Sequence, residues 1–144
     1  MTQRAAQRTR MWKAARTALK VMRPPPRLSV SEWADRERRL DSQSSSEPGR
    51  WYTSRAEYQR GIMDACSDPA TPEVVVMAGA QLGKTEAILN ILGFHIAHDP
   101  CPILVLQPTL EMAQAFSKDR VAAGLVRSTP ALRGKIKDPR ARDS

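Results

Sequence analysis

The stretch that most restricts how this chain can fold is Val74–Thr85, where a β-branched run meets a glycine-bearing loop that leads into a helical pattern. Val74–Met77 is short, apolar and uninterrupted, which suits a strand buried on both faces. Gly79-Ala80-Gln81-Leu82-Gly83-Lys84-Thr85 follows, and Glu86 to Ala97 then reads as a helix with apolar side chains nearly all round. Asp99-Pro100 stops it. Such an arrangement can cradle phosphate. Small residues let backbone amides turn inward, the helix start presents its positive end, a lysine reaches the terminal phosphates, and a hydroxyl ligates magnesium. Gly79 and Gly83 allow the turn, Lys84 is the cation, and Thr85 is the hydroxyl. The usual spacing puts the first glycine at position 78, where Ala78 stands, so Gly79 comes one place late. The competing reading is an ordinary strand-to-helix turn with a surface lysine.

Downstream, Ile103-Leu104-Val105-Leu106 reads as a second buried strand, and Thr109 caps a further helix to about Leu125. Strand, loop, helix, strand and helix in this order make a right-handed crossover feeding a parallel sheet. Two strands make no viable sheet, since an α/β domain has about five or more with helices on both faces. The expected fold class is therefore α/β with an incomplete parallel sheet, either a piece of a larger domain or dependent on partners. Upstream, Ser29 with Glu32 and Ser54 with Glu57 are two capping boxes. The first opens a helix to about Leu40, with Trp33 and Leu40 as apolar contacts. The second opens a helix to about Ala65, with Tyr58, Ile62 and Met63 as its stripe. Residues 41–50 read as a polar linker and 127–144 as basic and weakly patterned.

Lys and Arg total 23 and Asp and Glu 15, a net charge of +8. Residues 1–27 hold eight of the bases and no acid, so the remainder carries 15 of each and is neutral. The excess belongs to an N-terminal arm, which argues against a uniformly basic protein. Residues 4–22 read as a basic helix with Trp12, Leu19 and Met22 on one side, ended by Pro24-Pro25-Pro26. An Arg-rich, acid-free start also describes an organellar transit peptide, whereas a secretory signal would need an apolar core that this start lacks. No apolar run reaches the roughly 18–20 residues that span a bilayer. Cys66 and Cys101 read as reduced, packed thiols, and His95 and His98 have no partner at metal-ligand spacing. The expected layout is an arm at 1–27, a short helix and linker at 28–50, and the first part of an ATPase domain at 51–144.

Taken together, LSVSEWA (Leu28–Ala34), EPGRWYTSRAEY (Glu47–Tyr58), VVVMAGAQLGKTE (Val74–Glu86), ILVLQPTLEMAQAFSKDR (Ile103–Arg120) and the tail Thr129–Ser144 resemble the GpA family of phage terminase large subunits, the DNA-packaging motors of lambda-like tailed phages. The resemblance implies a P-loop NTPase fold of the RecA/helicase-like kind that uses ATP and Mg2+ to thread double-stranded DNA into a procapsid through its portal. It also implies a C-terminal nuclease and a small subunit that recognises the packaging site. Ala78, Gly79, Ala80, Gln81, Leu82, Gly83, Lys84 and Thr85 match the family's phosphate loop, with Thr85 on the metal. Tyr58 and Gln59 occupy the place of its adenine-contacting motif; the bland alternative has Tyr58 in a helix core and Gln59 solvated. Gln107-Pro108-Thr109 resembles a helicase-type motif beside the nucleic-acid track, with Lys118 and Arg120 following; its alternative is a capped turn without contacts. Some terminases carry an arginine inside the loop, where Ala80 and Gln81 stand here.

The small subunit is expected to dock on residues 4–22, with phosphate contact by the arginines as the rival. The setting implied is the bacterial host cytoplasm, without a membrane. Of the acids after Val105, Glu111, Asp119, Asp138 and Asp143, none ends an apolar strand as the magnesium-orienting acid of such an ATPase does. Hydrolysis by these 144 residues alone is therefore expected to be close to nil. Two other functions fit less well: a non-catalytic module binding the small subunit or DNA, and a fragment of a superfamily-2 helicase-like ATPase.

Overall fold

The computed structural model describes residues 11–13, 15–17, 26–43, 45 and 47–136. Residues 11–13 and 15–17 are helical, and the rest of the expected 4–22 helix, with Leu19 and Met22, lies outside the described residues. At Ser29 the capping box closes: the Ser29 hydroxyl accepts from the Glu32 amide at 3.4 Å, and the Glu32 carboxylate accepts from the Ser29 amide at 3.1 Å. Helix α1 follows at Val30–Glu37 and stops short of Leu40. Arg38 turns the backbone extended, and Arg39–Leu40 (β1) pairs antiparallel with Gly49–Arg50 (β2), Arg39 opposite Arg50. The stretch expected to be a linker thus closes a short ribbon.

The second capping box does not form. Thr53–Ala56 is a 3-10 turn, and helix α2, Tyr58–Ala65, begins behind Glu57 without a side-chain cap. Other partners, one tertiary and one local, engage this stretch. Asp35 of α1 accepts from the Thr53 amide at 2.6 Å, and Glu57 spends its carboxylate on Arg60 at 2.5 Å. Asp64, near the end of α2, in turn accepts from the Ser31 amide and hydroxyl, both at 3.0 Å, and seats the first turn of α1.

Helix α3 spans Lys84–Ala97 and is the central element, packed against α1 and α2. Its Gly93 lies under the Trp33 ring, where an added Cβ would sit 2.7 Å from Cζ3. Gly93→Ala is therefore expected to destabilise. Overpacking costs about 1–3 kcal/mol, against the roughly 1 kcal/mol that alanine gains in helix propensity. A lower urea midpoint at unchanged slope is the expected result. Thr109 caps helix α4, Leu110–Ala115, by accepting from the Met112 amide at 3.2 Å. The chain continues π-helically over Phe116–Arg127, two residues past the expected end. In the described part of the tail, Pro130–Leu132 forms a 3-10 turn, Leu132 is fully buried, and Lys135 donates to the Ala97 carbonyl at 2.7 Å. The core is helical, built from Val30, Trp33, Met63, Leu89, Leu92, Phe94, Leu125 and Leu132 with their neighbours.

The two runs expected to be strands are the main departure. Val74–Met77 and Ile103–Leu106 have no regular secondary structure, and the only sheet among the described residues is the β1–β2 ribbon. Nor are they covered on both sides. Val74, Val76 and Ala78 face a cavity beside α2 and α3, while Val75 is 82 % and Met77 99 % exposed. Cys101, Ile103 and Val105 face α3 and the π-helical segment, while Leu104 and Leu106 are 82 % and 80 % exposed. The alternation is that of strands packed on one helical layer. Without neighbouring strands there is no ladder, and without a second layer the other face stays bare.

Candidate functional site

The 79–85 loop turns on two left-handed residues. Gln81 has φ 59°, a conformation that costs a non-glycine residue about 1–2 kcal/mol. Gly83 has φ 69° and precedes the first residue of α3, Lys84, offering no side-chain cap. The first-turn amides of a 14-residue helix thus point out of the loop without a side-chain acceptor. Lys84 folds back over the loop, its Nζ donating to the Ala78 carbonyl at 2.9 Å and the Gly79 carbonyl at 2.5 Å. Thr85 is half-buried beside it.

The start of α2 braces this loop. The Tyr58 hydroxyl and Gln59 Nε2 both donate to the Leu82 carbonyl, at 3.0 and 3.1 Å. Because that carbonyl can only accept, it fixes which end of the Gln59 amide faces it. Gln59 Oε1 is buried and has no partner. The simpler reading of the pair is inverted: Gln59 is 3 % exposed and Tyr58 59 % exposed. Gly83 is required here for a second reason, since a Cβ would overlap Gln59 Nε2. Tyr58, Gln59, Ile62, Val76, Leu82 and Lys84 share a cavity of ≈ 350 Å³ whose remaining walls are largely apolar. Cys66 is also on its wall, and burial pushes its thiol pKa up, which keeps it protonated and a poor nucleophile. The expectation of two packed thiols fails at Cys101, which is exposed.

The other residues singled out do not join this group. Gln107 faces a separate cavity of ≈ 340 Å³ with Leu92, Ile103, Val105 and Phe116, which shares no lining residue with the first. Thr109 uses its hydroxyl as a helix cap. The Glu111 carboxyl is held below its usual range by its own backbone amide and by the Thr109 hydroxyl. Lys118 and Arg120 are exposed, Arg120 on a cleft with Asp41, Gln43 and Asp119.

One residue of consequence has no signal in the sequence. Arg38 is 1 % exposed, and its Nη2 pairs with Glu86 of the first turn of α3 at 3.1 Å. Desolvation lowers its pKa, with Glu86 opposing that shift.

A model of the phage terminase large subunit gpA ATPase domain matches residues 45–144 of this chain. The terminase large subunit of Escherichia phage lambda is 33 % identical over 112 residues, which are 78 % of this chain and 17 % of that protein. That of Enterobacteria phage P21 is 31 % identical over 119 residues, 83 % of this chain and 18 % of the relative. The chain therefore spans less than a fifth of the length of these relatives. No solved structure matches it.

Proposed function

Since this chain belongs to the phage terminase large subunit family, within its ATPase domain, we propose that its 79–85 loop binds ATP with Mg2+ and serves the family's packaging of double-stranded DNA. One observation carries this reading: Gln59 spends its amide nitrogen on the Leu82 carbonyl and keeps Oε1 buried and unpartnered at a cavity that also holds Lys84. A buried acceptor without a donor is costly. An adenine amino group would satisfy it, with the exposed ring of Tyr58 alongside. The first-turn amides of α3 and Lys84, released from the Ala78 and Gly79 carbonyls, would take the phosphates, and the Thr85 hydroxyl would face magnesium. Bound ATP supplies the free energy of phosphoryl transfer. What these residues themselves do is bind and orient it.

In this reading Val74–Met77 and Ile103–Leu106 are strands of a P-loop, RecA/helicase-like parallel sheet. The bare faces of Val75, Met77, Leu104 and Leu106 are where the rest of that sheet's cover packs. Gln107, Thr109, Lys118 and Arg120 belong to the DNA side, with Lys118 and Arg120 taking phosphates. Residues 4–22 dock the small subunit, consistent with the exposed Met11 and Trp12 on the part of that helix described. The setting is the bacterial host cytoplasm; no helix among the described residues is long and apolar enough to cross a membrane.

MgATP is expected to raise the melting temperature of the chain. The gain corresponds to about 2.7 kcal/mol at a hundredfold excess over the dissociation constant. Lys84→Ala is expected to remove the shift. Equal shifts in both proteins would mean that the loop does not bind the nucleotide. The same exposed Met11 and Trp12 also favour a second reading, a non-catalytic docking module, which would show no MgATP response.

A further inference from the structure

Arg38 is the one buried charged side chain among the described residues, and its position is poorly explained by stability alone. Burying a guanidinium is expensive, and an apolar residue of similar size commonly does as well or better. Its Nε has no partner, so even the hydrogen bonding is incomplete. What the side chain does achieve is a junction between three parts of the chain that are distant in sequence. It leaves the end of α1, where its own amide caps the helix on the Ala34 carbonyl. Nη2 takes Glu86, two residues after Lys84. Nη1 donates to the Gly124 carbonyl at 2.8 Å, to the Ser128 hydroxyl at 3.2 Å and to the Arg39 carbonyl. The Ser128 hydroxyl closes the junction by donating to the Arg39 carbonyl at 2.8 Å.

Gly124 and Ser128 end the helical segment that Thr109 begins and that carries Lys118 and Arg120. A planar guanidinium with donors in fixed directions makes the spacing of its acceptors rigid in a way a lysine does not. We propose that Arg38 is a positioning residue that couples the nucleotide loop to the segment bearing Lys118 and Arg120, by holding Glu86 and the Gly124 carbonyl on one guanidinium. The proposal rests on the reading of the 79–85 loop as a nucleotide site. Ordering of the first turn of α3 by nucleotide is then felt at residues 124–129, which neither contact the loop by hydrogen bonds nor line its cavity.

Amide hydrogen exchange on the whole chain, with and without MgATP, tests this in the unchanged protein and in Arg38→Lys and Glu86→Gln. In the unchanged chain, nucleotide is expected to slow exchange at 79–88 and, by about tenfold, at 124–129, a mid-range allosteric coupling. Either variant is expected to keep the slowing at 79–88 and lose most of that at 124–129. A purely structural arginine would lower protection with or without nucleotide and leave the ratio intact. Persistence of the 124–129 response in a folded variant overturns the proposal. So does its absence from the unchanged chain when 79–88 responds, a result that needs no variant to fold. No response at 79–88 in the unchanged chain would overturn the nucleotide reading itself, and this inference with it.

Discussion

Arg38→Ala is expected to cost about 3–5 kcal/mol, the usual effect of removing one partner of a buried ion pair. Set against typical domain stabilities of about 5–15 kcal/mol, that is enough to populate the unfolded chain. Three losses combine. Glu86, only 23 % exposed in its side chain, keeps a charge with no partner. The Gly124 carbonyl and the Ser128 hydroxyl lose a charged donor. The end of α1 loses the side chain that ties it to α3. The loss is expected to be strongly non-additive: Arg38→Met with Glu86→Leu removes both charges while keeping bulk, and should recover most of the stability. Urea midpoints of the single and double variants measure this directly. A single-variant loss below about 1 kcal/mol, the range of an exposed pair, would show that Arg38 is solvated.

Gly83→Ala is expected to disable the loop while leaving the fold standing. Alanine in the left-handed region costs about 1–2 kcal/mol, and the new Cβ displaces the Gln59 amide from the Leu82 carbonyl. That bond contributes about 0.5–1.5 kcal/mol. The larger consequence is misplacement of the acceptor and of the first-turn amides, for which a drop in MgATP affinity of more than about tenfold, or 1.4 kcal/mol, is expected. Gly134→Ala is the control, because Gly134 has φ 83° but open space around its Cβ position. Both variants should lose stability through backbone strain, Gly83→Ala the more by its overlap with Gln59, and only Gly83→Ala should lose nucleotide affinity. Equal affinities in the two would mean that Gln59 and the turn have no part in binding.

What could be read from the residues in order was whatever neighbours in sequence decide. Ser29 with Glu32, and Thr109, cap their helices because the partner amides are within three residues. Gly83 in its left-handed turn was legible for the same reason, but the other left-handed position of the loop falls on Gln81 and not on the expected Gly79. Ser54 with Glu57 has identical spacing, but Glu57 pairs instead with Arg60 three residues on, an alternative as local as the box itself. Asp35, reaching from α1 to the neighbouring Thr53 amide, cannot be seen locally. Within α2, Gln59 lies one turn before Met63 and is buried with it, while Tyr58 is outside; that choice of face is made by the elements packed on α2. Nothing local to Gly93 announces that the Trp33 ring, sixty residues upstream, packs against it. Arg38, beside Arg36 and Arg39, reads as one more solvated base; its burial follows from elements some fifty and ninety residues away. Val74–Met77 and Ile103–Leu106 read as uninterrupted strands buried on both faces, whereas neither is a strand here and each is bare on one side. Ladder partners and a second layer are long-range by nature.

A phosphate-dependent nucleotide site at Gly79–Thr85 is the centre of the proposed function. Equilibrium titration of the chain with MgATP, MgADP and adenosine, each repeated with Lys84→Ala, tests it most directly. The predicted result is saturable binding of the two nucleotides, far weaker binding of adenosine, and loss of the nucleotide preference in Lys84→Ala. Adenosine binding as tightly as MgATP, or MgATP binding unchanged by Lys84→Ala, would contradict it.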